Sequence, residues 1–322
     1  MKIDKKKLEE LKTRLLILKE KDIQFKDYIF KNSQDTCLKL FSFDTEKHIY
    51  DPDSSLLAWK YYLKVYEDLL SLTDEDEKSL FNEDYTTKCD EKKFWLRKGK
   101  YERIVGTFCY SNDGKALLDK YNLDSSGLVK GKNIGIAGDC VFNFNEKKVL
   151  NFERCISDEK LEDKDSMEQI KELLVLASSL HHAFLNFSLM PVTGGLNNIK
   201  GGRKIDDRLD IFLYKLKNAY NVYNKENKSD IDLPGIILKT GDALKDFLKK
   251  IGSFERYCEV FYHLDEKEDK ELFQALFSNS AKEIKNTEDL IQYIGLAVQY
   301  WEHQVKIFEK RICEKNCKEI RK

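Results

Sequence analysis

A chain of 322 residues, 41% hydrophobic and 35% charged, can fill a core and coat a surface, which excludes a disordered polymer. Its 56 basic and 57 acidic residues leave a net charge of −1, so no global basic field exists and affinity for nucleic acid needs a local patch. With 3 prolines and 15 glycines, the composition favours helix over a turn-rich β-sandwich.

The opening stretch MKIDKKKLEELKTRLL is charged throughout and lacks the apolar centre of a signal peptide. No apolar run reaches the roughly 18–20 residues that span a bilayer. A cytoplasmic protein without membrane contact is therefore expected. Leu8, Leu11, Leu15 and Leu18 recur at helical spacing and predict an amphipathic helix over 4–20. A β-like stretch and a turn follow in TCLKLFSFDTEKHIYDPDSS. Pro52 pushes Asp51 toward extended backbone, and Asp53, Ser54 or Ser55 then caps a helix buried through Leu56, Trp59, Leu63, Tyr66 and Leu70. Asp51 and Asp53 have metal-ligand chemistry, but a turn and a cap account for them. Residues 73–93 are acidic and polar and read as a surface connection.

The pattern changes over 94–155, where YERIVGTFCYS and NIGIAGDCVFNF carry the β-branched and aromatic residues of strands. VFNFNEKKVLNFE predicts a hairpin around Asn145–Glu146–Lys147. Helical spacing returns over 166–186, through Leu173, Leu176, Ala177, Leu180 and Phe184. Pro191, Gly194, Gly195, Gly201 and Gly202 make 187–205 loop or short strand. Asp206 or Asp207 caps the next helix, striped by Leu209, Phe212, Leu216, Tyr220 and Tyr223. Two shorter helices are expected near 240–250 and 253–263. The longest periodic signal starts near Asn286 and runs through Leu290, Ile294, Ala297, Val298, Trp301, Val305, Phe308 and Ile312. No internal repeat is present. The expected fold is α+β and predominantly helical, with a small antiparallel sheet mainly from 94–155. It forms one domain over 1–322, with sub-regions 1–93 helical, 94–205 mixed and 206–322 helical.

The eight cysteines (37, 89, 109, 140, 155, 258, 313 and 317) are scattered without a CxxC pair, which argues against a zinc ribbon and for reduced thiols. The basic tail of Lys310, Arg311, Lys315, Lys318, Arg321 and Lys322 is interleaved with Glu309, Glu314 and Glu319, as suits a solvated helix end.

Chemistry concentrates in HHAFLNFSLMPVTGGLNNIKGGRKIDDRLD, residues 181–210. Its glycines allow close backbone approach, and the helix start behind them attracts anions. Asn186, Asn197, Lys200, Arg203 and Arg208 are the candidate ligands of a phosphate-bearing molecule, nucleotide or nucleic acid. The loop matches neither a P-loop nor GxGxxG. Asp206, Asp207 and Asp210 oppose an anion there, unless Mg2+ bridges them to the phosphate. In that case these aspartates, with His181 or His182 as base, are the candidate catalytic groups of a metal-dependent phosphoester hydrolysis. On a helix, adjacent histidines point about 100° apart, so His181 and His182 are not expected to share a metal. The alternative is a non-catalytic helical protein that acts through a protein partner or self-association, presenting Phe254, Tyr257, Phe261, Tyr262, Tyr293, Tyr300 and Trp301.

Two resemblances bear on these residues. Asn186, Leu189, Met190 and Asn197 are similar to the second half of the HNH-type nuclease motif. The chain lacks the upstream Asp-His or Glu-His pair that this family needs, which speaks against nuclease activity. More broadly, the chain resembles a bacterial protein family of unknown function, through four features. These are Phe43–Asp44 with Asp51–Pro52–Asp53–Ser54, Met190–Pro191 with Asn197 and Gly201, Asp207–Arg208–Leu209–Asp210, and the aromatic stretch from Phe247 to Phe261. Leu209 stands where that family has Phe, and the Trp-containing stretch that follows its DPDS helix is missing. The resemblance implies one intact domain and carries no activity.

Overall fold

The computed structural model describes residues 4–31, 136–145, 152, 164–191, 196, 199–200, 207–225, 248, 251–278 and 284–320. The expected DPDS helix, the surface connection at 73–93, the strand in YERIVGTFCYS and most of the helix near 240–250 lie outside these residues, as do Asn197, Arg203 and Asp206.

Six helices and one two-stranded antiparallel sheet are present among the described residues, a mostly helical α+β fold as expected. In chain order they are α1 (Lys5–Lys31), β1 (Ile136–Cys140), α2 (Lys164–Ser179), a 3-10 turn (Phe184–Asn186), β2 (Phe187–Pro191), α3 (Leu209–Lys225), α4 (Phe254–Tyr262), α5 (Lys270–Ser278) and α6 (Thr287–Ile320). Among the described residues, no helix is long and apolar enough to cross a membrane.

The leucine stripe of α1 is buried as its spacing requires, with Leu8, Leu11, Leu15 and Leu18 all at or below 3% exposure. The helix starts where Asp4 Oδ1 accepts the Lys6 N–H at 3.0 Å. Its ion pairs give the direction of its neighbours. Lys5 meets Asp165 and Lys12 meets Glu172, while Arg14 meets Glu302 and Lys21 meets Glu309. Residue numbers rise together in both sets, so α1, α2 and α6 run parallel. The pairs themselves are exposed or half-exposed, so solvent screens them and they add little to stability. The apolar seam between the helices holds them together, and Phe25 sits on Phe308 with centroids 4.0 Å apart.

The start of α6 has reciprocal capping. Asn286 Oδ1 accepts the Asp289 N–H at 2.8 Å, and Asp289 Oδ2 accepts the Lys285 N–H at 3.1 Å. Ser253 caps α4, accepting the Arg256 N–H at 3.1 Å, and His263 ends it in the left-handed conformation at φ 55°. Gly252, just before that cap, has φ +92°, where a side chain would be strained. Helix α5 was not anticipated from the sequence. It packs on α3 and α6, and α4 packs on α3 and β2.

The sheet departs from expectation in its second strand. β1 comes from 94–155 as predicted, but it pairs with β2, from Ile136 opposite Pro191 to Cys140 opposite Phe187. A hairpin around 145–147 would extend beyond the described residues. β2 lies in the segment read as loop or short strand. The helix expected over 166–186 ends at Ser179, and Leu180–Ala183 turn the chain before the 3-10 turn. Phe142, Phe144, Tyr293 and Trp301 form an aromatic centre where this ribbon meets α6. The seven aromatics that the alternative reading would present to a partner, from Phe254 to Trp301, are all at or below 4% exposure and belong to the core, as large aromatics usually do.

Candidate functional site

The segment 139–145 is the axis of the site, because the polar residues predicted from three other places converge on it. Asn186, in the 3-10 turn, is fully buried. Its Oδ1 accepts the Phe142 N–H at 2.9 Å and the Trp301 indole N–H at 3.0 Å. Its Nδ2 donates to the carbonyls of Phe142 at 2.8 Å and His181 at 2.7 Å. Two donors and two acceptors exhaust the amide, so Asn186 is a structural pin.

Lys200 reaches the same axis from the glycine-rich segment. Its ammonium pairs with Asp139 and, at 2.8 Å, with Asp207. Asp207 also accepts from Asn143 Nδ2 at 3.1 Å, and its φ is 53°. Its carboxylate thus serves the ion cluster as well as the approach to α3. Burial works against the Lys200 charge, but Asp139 and Asp207 more than reverse this and hold its pKa above 10.5. Because the folded value is raised, Lys200 contributes stability that is complete below its unfolded pKa and is lost as pH rises through the folded one. Urea unfolding of Lys200→Met should therefore show a loss of about 3 kcal/mol that is constant over roughly pH 6–9 and shrinks only at strongly alkaline pH. A loss that varied across neutrality would place the titration on another group.

Arg208 and Asp210 sit at the first turn of α3, and both are buried. Arg208 Nε and Nη2 hold Asp210 at 2.9 and 2.5 Å, a bidentate fork. Burial lowers the guanidinium pKa, and Asp210 overrides it, so the group stays charged. Its carbon lies 5.0 Å from the centre of the Tyr293 ring, a cation–π contact. Burial pushes the Tyr293 phenol far up, so it remains neutral, and its oxygen accepts the Asn143 N–H at 3.0 Å. A cleft of about 250 Å3, including its open mouth, adjoins this pair and is lined by Arg208, Asp210, Ile284, Asp289, Gln292, Tyr293 and Leu296.

The histidines do not line that cleft. His181 is buried and His182 exposed, with ring centroids 4.3 Å apart. The expectation that they diverge assumed a helix through both. They lie instead in the turn after α2, where the 100° rule does not apply. This turn brings them against the end of β1. One ligand atom each from Cys140, His181 and His182 lies within 4.8 Å of the other two. The sequence offers no motif for this trio, since 41 residues separate Cys140 from His181.

The sequence-derived candidates thus divide three ways. Asn186, Lys200 and Asp207 are pinned in the 139–145 network. Arg208 and Asp210 border the cleft, with Asp289 and Gln292 as unforeseen neighbours. His181 and His182 join Cys140. No family model, curated protein or solved structure matches this chain.

Proposed function

We propose that the chain binds the phosphate end of a nucleotide, as its Mg2+ complex, in the cleft beside Arg208. The observation that carries this reading is a permanently charged guanidinium bordering an open cleft at the first turn of α3, with Asp210 and Asp289 on the same walls. One cation against two carboxylates makes the lining net negative, so a bare phosphate is repelled. A magnesium ion uses one or two carboxylates together with phosphate oxygens, which removes the conflict. The enclosed space is only about 10 Å3, room for one ion or water, so the phosphate sits at the mouth with the nucleoside outside. Binding rather than hydrolysis is favoured, because neither histidine lines this cleft.

Titration calorimetry with a nucleoside monophosphate and Mg2+ tests this. One ligand per chain is expected in the presence of Mg2+ and none without it. Asp289→Asn should weaken binding by at least about tenfold, with little change in the melting temperature. No magnesium-dependent binding would leave the second reading, a helical scaffold protein. That reading is favoured by Asn186, Lys200 and Arg208 being bound to groups of the chain itself.

A further inference from the structure

We propose that Cys140, His181 and His182 form a binding site for a late first-row transition metal, with zinc the best fit. The three donor atoms already lie within 4.8 Å of one another. A tetrahedral zinc ion with bonds of about 2.0–2.3 Å sets neighbouring ligand atoms roughly 3.3–3.8 Å apart. Closing that gap takes about 1 Å of side-chain movement, and the exposed His182 has the freedom to supply it. One thiol and two imidazoles are the soft and borderline donors of zinc, cobalt or copper, and they do not suit Mg2+ or Ca2+.

The scaffold is built to hold two of these donors still. Cys140 ends β1 opposite Phe187. The turn carrying the histidines is tied by the His181 N–H to the Ser178 carbonyl at 3.1 Å and by Asn186 Nδ2 to the His181 carbonyl at 2.7 Å. Asp22 Oδ1 accepts the next turn's Phe184 N–H at 2.7 Å. His181 Nδ1 lies 3.3 Å from the Phe142 carbonyl. With its proton on Nδ1, the ring donates to that carbonyl and turns Nε2 into the metal-binding lone pair, the usual second contact of a ligating histidine. The Phe144 N–H, 3.4 Å from the same nitrogen, favours the opposite tautomer, so the metal would select the first.

The Cys140 thiol donates to the His181 carbonyl at 3.4 Å. On binding, the S–H bond breaks, its proton leaves to water, and the sulfur lone pair forms the metal bond. The carbonyl is not orphaned, because Asn186 still donates to it. Three protein donors with His182 at the surface leave a fourth position facing solvent, as in sites that keep an exchangeable water.

Cobalt titration of the chelator-treated full chain reads this directly. One Co2+ per chain should bind with a thiolate-to-cobalt charge-transfer band, and Zn2+ should displace it. Affinity should fall as pH drops and the thiol and imidazoles keep their protons. Cys140→Ser should abolish the band. His182→Ala, at an exposed position, should leave the melting temperature unchanged and weaken binding more than about 100-fold. No band in the native chain, or a band of unchanged affinity in either variant, overturns the proposal. The test uses neither phosphate nor Mg2+, so it stands or falls separately from the cleft.

Discussion

Asn186→Ala should reduce the unfolding free energy by about 2–4 kcal/mol. The amide makes four hydrogen bonds at 2.7–3.0 Å, to both backbone groups of Phe142, to the His181 carbonyl and to the Trp301 indole. Alanine leaves the Phe142 N–H and the Trp301 indole N–H without an acceptor, and takes one of two partners from each carbonyl, at a fully buried position. Each buried orphan costs about 1–3 kcal/mol, and local relaxation recovers part of the sum. Asn186→Asp keeps the acceptors, removes both donors and buries a charge, so it should be no better than alanine. Urea unfolding followed by tryptophan fluorescence measures both, since Trp301 reports on this bond. A loss below about 1 kcal/mol would mean that the 3-10 turn stands without its pin. The same substitution should loosen the His181 turn, and so weaken Co2+ binding before global unfolding is detectable.

The second large effect is expected at the Arg208–Asp210 pair. Both side chains are at or below 4% exposure. Asp210→Leu leaves a guanidinium buried beside Tyr293 with its fork unfilled, and a loss of about 3–5 kcal/mol follows. Arg208→Met alone should cost a similar amount by stranding the Asp210 carboxylate. The double variant removes both charges and should regain most of the loss, because a buried pair is hard to break but not hard to replace. A double-mutant cycle measures the coupling. If the double variant is as unstable as the sum of the single ones, the two charges are not acting on each other. Recovered stability with lost nucleotide binding would assign the pair to the cleft. Recovered stability with binding intact would assign it to architecture.

Much of the helical frame was legible because burial stripes repeat locally. Leu8 to Leu18 in α1 and Leu290 to Phe308 in α6 are set by the 3.6-residue period, and they needed no knowledge of their partners. The parallel alignment of α1, α2 and α6 was not legible, since an ion pair such as Arg14–Glu302 joins residues 288 apart. The partner of β1 was missed for a related reason. β2 lies about fifty residues away in sequence, behind a helix and a turn. The end of α2 at Ser179 was hidden because Leu180 and Phe184 continue the apolar spacing while already serving the turn and the 3-10 turn.

The polar residues show the division most clearly. Their concentration in 181–210 marked the segment where the chain abandons regular structure, and the sequence alone determined that much, along with the helical class and the buried stripes. Which charge meets which was decided by tertiary structure. Nothing in the sequence around Asp139 singles it out, yet it helps to hold Lys200. The histidines gained a common partner in Cys140 only when a turn replaced the expected helix. Local periodicity is encoded within a few residues, but a site is a set of long-range distances, and those exist only after the core has brought the segments together.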